Sequence, residues 1–170
     1  MPRPRIDWVT TDWHLYHDKI IDWCDRPSNH MDIIFANYRA SVADKDTVIN
    51  LGDLIFKYHE MLPEILRSLP GKKVLVLGNH DRKTRGWYTR AGFDFVCDAL
   101  TIGSTLFTHK PVEVLPTGIT LNIHGHWHHT DKIHNEAPWW SPQTHHKLSI
   151  EEARYRPVNL QKILGNQVKL

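Results

Sequence analysis

The stretch "KKVLVLGNHD", Lys72 to Asp81, decides how this chain is read. Its aliphatic run Val74-Leu75-Val76-Leu77 carries no alternation, as a strand buried on both faces does. Directly behind it come Gly78, Asn79, His80 and Asp81, which turn the chain and present an amide, an imidazole and a carboxylate. Chemistry-bearing side chains at the carboxyl end of a buried strand point to an open α/β sheet, where ligands collect at strand ends.

The same arrangement recurs on either side. "RIDWVT", Arg5 to Thr10, alternates like a strand and leads to Asp12-Trp13-His14, and "TVINL", Thr47 to Leu51, is a buried strand that runs into Gly52-Asp53. Short strands over Thr105 to Thr108 and Ile119 to Ile123 lead to His109 and to "HGHWHH", His124 to His129, where a strand-like alternation puts His124, His126 and His128 on the same side. Between Asp12 and Asp53 there are 41 positions, and between Asp53 and Asn79 there are 26, each enough for a helical crossover between parallel strands. The helices to fill those gaps are visible. "HDKIIDWC" holds a short one stopped at Arg26-Pro27, and Ser28 or Asn29 caps another whose Met31, Ile34, Phe35 and Tyr38 share a face. Leu62, Ile65, Leu66 and Leu69 mark a third, and Thr84 to Arg90 a fourth that ends at Gly92. Only 17 positions separate His109 from His126, with a Pro111 to Gly118 loop between them, which predicts adjacent short strands in a second, more antiparallel sheet. Asp94 to Val96 and Leu100 to Ile102 are further short strands, and His146 to Ile150 reads as the last.

Composition narrows the partners. A chain of 170 residues, 41% hydrophobic and 24% charged, predicts one domain over residues 1–170. A net charge of +2 argues against a stable nucleic-acid partner. The absence of a long apolar run and of a signal region argues against a membrane. Cys24 and Cys97 lack CxxC spacing and read as reduced packing residues of a cytoplasmic protein. Histidine (13) and tryptophan (7) stand out, and composition alone does not say why.

The five strand-end loops together offer Asp12, His14, Asp53, Asn79, His109, His126 and His128. Oxygen and imidazole donors without thiolate suit manganese, iron, nickel or zinc in a reactive site rather than a cysteine-bound structural zinc. Seven donors exceed one tetrahedral ion but divide well between two if one carboxylate bridges, and Asp53 sits in the middle of the series. Two ions about 3.5–4 Å apart clamp both oxygens of an in-line phosphoryl displacement.

In that order, "DWH", "GD", "GNHD", "THKP" and "GHWH" resemble the calcineurin-like metallophosphoesterase superfamily, in its short single-domain bacterial and phage form. "WHLYHDKIIDWCDRP" and "EEARYRPVNLQKIL" extend the resemblance from Ile6 to Leu164. It implies an α/β fold, a four-layer α-β-β-α sandwich of two mixed sheets flanked by helices. It also implies two divalent metal ions, manganese favoured in vitro, with Asp12, His14, Asp53 and His128 on one and Asp53, Asn79, His109 and His126 on the other. His80 becomes the histidine that contacts phosphate and protonates the leaving group, with Asn79 also on the substrate. Asp81 either orients His80 or caps the next helix. Arg82, with Lys83 and Arg85, either meets substrate phosphate or forms a solvated charge run. His17 either joins the substrate site or packs near its rim. Trp13 and Trp127 narrow the site or pack behind it, while His124 and His129 fall outside the ligand spacing. Trp139 and Trp140 plug the core or stack on a nucleobase, and His145-His146 reads as core and surface rather than as a further metal pair.

The activity so implied is phosphoester hydrolysis, in which a hydroxide bridging two metals attacks phosphorus. With almost nothing beyond the core to form a specificity cap, an open site admits phosphodiesters such as cyclic nucleotides, 2′,3′-cyclic ones included, or nucleic-acid ends. The rivals are a phosphomonoesterase acting on small metabolites or phosphoproteins, and a non-catalytic module that merely holds metal. Intact ligand positions and His80 speak against the last.

Overall fold

The computed structural model describes residues 6–129 and 137–167. Strands β1 (Trp8–Thr10), β2 (Thr47–Asn50), β3 (Lys72–Val76) and β4 (Phe95–Cys97) are parallel and adjacent. A short β9 (Val158–Asn159) pairs antiparallel with β1, giving the order β4-β3-β2-β1-β9. The second sheet has the order β5-β6-β7-β8. It is built from β5 (Ala99–Ile102), β6 (Thr105–Thr108), β7 (Leu121–His124) and β8 (His145–Lys147).

Side-chain alternation assigns each strand residue to a layer. Val48, Leu75 and Val96 face one core, shared with Ile34 and Tyr38 of helix α2 (His30–Ser41), Leu62 and Leu66 of α3 (Leu62–Arg67), and Tyr88 and Ala91 of α4 (Arg85–Ala91). Val9, Ile49, Val74 and Val76 face the other way, onto Phe107, Leu121 and Ile123 of the second sheet. Leu160 and Ile163 of the last helix, α5 (Leu160–Gln167), join that inner core. The protein is thus α/β, with two mixed sheets packed face to face and helices outside, as expected. The far face of the second sheet, with Asn122, His124 and His145, is covered among the described residues by Val112 and by Trp127 and Trp140. No helix among the described residues is long and apolar enough to cross a membrane.

Three expectations need correction. The second sheet is less antiparallel than the short spacing suggested, since only β5 and β6 are antiparallel while β6–β7 and β7–β8 are parallel. Residues 109–120 are long enough to cross over without a helix. His146 to Ile150 is not the last strand: β8 begins at His145 and stops at Lys147, and β9 and α5 follow. Those two close the first sheet's edge, and Val158–Asn159 is too short for periodicity to reveal. Finally, the alternation drawn through His124, His126 and His128 ends with β7 at His124, because His126 and His128 have φ of 71° and 49° and belong to a turn.

Candidate metal centre

Backbone pairing continues past the strand ends and brings the first two motif loops together. The amides of Asp12, His14 and Leu15 donate to the carbonyls of Gly52, Asp53 and Leu54, and Phe56 donates back to Leu15. Asp12, His14 and Asp53 nevertheless hold φ near +50°, the left-handed region, which disfavours a Cβ by roughly 1–2 kcal/mol per residue. With His126 and His128 that makes five donor residues whose turns are bent against their own preference, strain characteristic of functional sites.

Each carboxylate has one oxygen fastened and one turned to the centre. Asp12 Oδ2 accepts from Thr11 Oγ1 at 2.5 Å and from the His126 amide at 3.0 Å. Its Oδ1 is buried without a hydrogen-bond partner, as is His14 Nε2, 3.8 Å away. Asp53 Oδ1 accepts the His80 amide at 2.8 Å, while its Oδ2 lies 3.6 Å from His14 Nε2 and 3.3 Å from His109 Nε2. His128 Nε2 is 3.9 Å from Asp12 Oδ1. His109 Nε2 is also 3.0 Å from Asn79 Oδ1 and 3.2 Å from His126 Nδ1. Two donor sets therefore meet at Asp53 Oδ2. Asp12, His14 and His128 surround one side, and Asn79, His109 and His126 the other.

Rings are oriented by what binds their far nitrogens. His109 Nδ1 lies 2.8 Å from the Leu51 carbonyl, and His128 Nδ1 lies 3.0 Å from Glu151 Oε1. A proton held on Nδ1 by these acceptors leaves the lone pair on Nε2, facing the centre. Burial alone would neutralise Asp12, but His14, His109 and His128 around it keep its carboxyl far below the ordinary range. Burial opposes charge on His128, yet Cys24, Glu151 and Asp12 outweigh it and raise its pKa to about 10, so a cation binding at Nε2 takes the place of a proton there. Buried orphan atoms are costly unless something satisfies them, and convergent carboxylate and imidazole donors suit divalent cations. The residues present fit two such ions.

The sequence pattern of the calcineurin-like phosphoesterase family matches residues 8–164. The chain belongs to that family. Metal-dependent hydrolysis of phosphoesters is therefore its chemistry. It is 30% identical over 172 aligned residues to an uncharacterised protein of Methanocaldococcus jannaschii, covering 94% of this chain and 90% of the relative. In fold it is similar to a protein of unknown function from Aquifex aeolicus, with a TM-score of 0.75 and 22% identity over 95% of this chain and 100% of the other. It is also similar to the Pseudomonas putida nuclease MPE, with a TM-score of 0.50 and 21% identity over 71% of this chain and 60% of the nuclease.

Around the donors of this phosphoesterase, the remaining candidates separate. His80 lines the cavity above the donors, with Nε2 4.0 Å from Asp53 Oδ2. Asp81 is buried and does a different job from either one expected: its oxygens accept the amides of Asp53, Leu54 and Gly78, pinning the GD and GNHD loops together. The helix cap is Thr84, which accepts from the Trp87 amide. Arg82 is exposed and does not line the cavity. His17 does line it, with Nδ1 3.3 Å from His14 Nδ1, and burial together with His14 pushes its pKa down to about 4. Trp13 packs behind the site on Phe35 and Tyr38, whereas Trp127 lines the cavity. His124 is fully buried and accepts from Trp140 Nε1 at 2.9 Å, so Trp140 belongs to an aromatic plug with Trp127 and Trp139. His129 is exposed, and His145 is buried with Nε2 against the Val112 carbonyl at 2.8 Å.

Sequence reasoning missed Arg26 and Glu151. Arg26 is 3% exposed, and it donates to the carbonyls of Asp12 and Trp13 at 2.9 Å each and to Glu151 at 2.6 and 2.9 Å. Both lie in the flanks of the resemblance, "CDRP" and "EEARYRP", but no local pattern signals a contact 125 positions apart.

Proposed function

We propose that this protein is a cytoplasmic phosphodiesterase acting on nucleotide-type diesters, with manganese its favoured ion. The observation that carries the reading is the cavity over the donors, about 440 Å³ in volume. Its floor is His14, Asp53, His80, His126 and His128, and its wall includes Ile20, Trp23 and Trp127. Among the described residues lining it there is no lysine or arginine. A monoester dianion calls for added positive charge from the chain, while a diester carries one negative charge and a second substituent that an apolar wall accepts. A nuclease among the proteins sharing the fold supports the same reading, and two free buried cysteines support a reducing compartment.

Two divalent cations, when bound, supply a nucleophile from water near neutral pH and neutralise charge on the phosphate oxygens. The chain's part is to hold and orient. Asp53, fixed through Oδ1 by the His80 amide, serves both donor sets through Oδ2. Asn79 Oδ1 and His109 Nε2 converge to 3.0 Å as two lone-pair donors of the second set, with the His109 ring fixed by Nδ1 on the Leu51 carbonyl. His80, with Nε2 turned to Asp53, passes a proton to the departing oxygen as general acid.

The test compares bis-p-nitrophenyl phosphate with p-nitrophenyl phosphate in the presence of manganese. The diester should have the higher kcat/KM. A clear preference for the monoester overturns the diesterase reading.

A further inference from the structure

The wall of the cavity is aromatic, and one of its rings stands exposed at the rim. Trp23 ends helix α1 (Lys19–Trp23), lines the cavity, and is 64% exposed. Trp127, buried against Trp139 and Trp140, lines the same cavity from the GHWH turn with its remaining accessible surface. His17 sits between Trp23 and one further ring, stacked on Phe56 at 4.0 Å and edge-on to Trp23 at 5.5 Å. Phe56 is 40% exposed, and its ring centre lies 5.8 Å from that of His80. His14, a member of the first donor set, is 5.3 Å from His17, so the aromatic wall begins one ring away from the donors.

This rim is held in place on both sides. Lys57 pairs with Asp18 at 2.6 Å, linking the segment of Phe56 to the start of α1. Behind α1, Arg26 grips the carbonyls of Asp12 and Trp13. Exposed aromatic surface beside convergent polar groups marks a binding site more often than a packing defect.

We propose that Trp23 and Trp127 form a subsite for the nucleobase of a nucleotide ester whose phosphate lies at the metal donors. The proposal rests on the phosphoester-hydrolase reading and adds the rings that hold the base. Every base offers a π-face, so stacking here selects nucleotides as a class over sugar phosphates and not one base over another.

The experiment measures calorimetric binding of adenosine 5′-monophosphate and ribose 5-phosphate to the manganese-loaded protein. Wild type should prefer the adenosine compound by roughly 5- to 150-fold, the span of base–aromatic stacking. Trp23→Ala should bring that ratio close to one and leave ribose 5-phosphate affinity unchanged, and Trp23→Phe should keep most of the preference. Equal affinities in wild type overturn the subsite, as does a preference that survives Trp23→Ala. A parallel loss of both affinities in Trp23→Ala also overturns it, since Trp23 would then only support the fold. Absence of diester turnover instead sinks the diesterase reading, and the binding ratio remains readable.

Discussion

Glu151 Oε1 lies 3.0 Å from His128 Nδ1 and is held there by Arg26 Nε at 2.9 Å and Nη2 at 2.6 Å. The same guanidinium binds the carbonyls of Asp12 and Trp13. One buried ion pair thus fixes the loop carrying Asp12 and His14 relative to the ring of His128.

The first prediction concerns that pair. Glu151→Gln should weaken manganese binding by about 10–100-fold, the usual cost of losing a carboxylate behind a ligating histidine. It should also lower stability, because Arg26 keeps a buried charge without its counter-ion. Calorimetric titration and denaturant unfolding read the two effects. Wild-type manganese affinity in the variant would refute the orienting role of Glu151.

Asp53→Asn is predicted to be more damaging than Asp12→Asn. Asp53 Oδ2 faces both donor sets, whereas Asp12 Oδ1 faces only His14 and His128. Metal content per chain, measured by elemental analysis after dialysis, should fall further for Asp53→Asn. Equal retention in the two variants counts against the shared position.

For His80→Ala the expectation is retained metal and a rate lower by about 10²–10⁴, the typical contribution of a general acid. The deficit should shrink for esters with good leaving groups such as p-nitrophenol. Loss of metal in this variant would make His80 a ligand instead of an acid.

Gly78→Ala tests how tightly the loops are packed. A Cβ there would collide with Asp53 Oδ1 and its amide, both backbone-tethered, so the carboxylate must shift. The variant should lose metal affinity while staying folded by circular dichroism. Unchanged affinity would show that the loop gives way without moving Asp53.

The histidine cluster separates by role. His126→Ala and His128→Ala should each strip metal from one donor set. His124→Ala should spare metal but cost roughly 2–5 kcal/mol of stability, as removal of a large buried side chain does. His129→Ala, at an exposed position, should stay within about 0.5 kcal/mol of wild type. Metal loss in His124→Ala as complete as in His128→Ala would contradict this division.

The strand–loop–helix order is legible in one dimension, because buried parallel strands and amphipathic helices write their periods locally. "KKVLVLGNHD" and "TVINLGD" place their polar residues at strand ends through adjacency alone. The seven donor candidates are legible there as well, since motif order survives. The rest depends on contacts made between distant segments. Whether β6 and β7 run parallel depends on how residues 109–120 cross over, and Pro111 to Gly118 carries no direction. That Asp81 binds three backbone amides instead of His80 depends on the GD loop, which approaches it from 27 or more positions away. Arg26 and Glu151 meet across 125 positions, and a long-range ion pair has no period to read. The left-handed turns at Asp12, His14, Asp53, His126 and His128 are likewise absent from local propensity, because the packed loops around them overrule it.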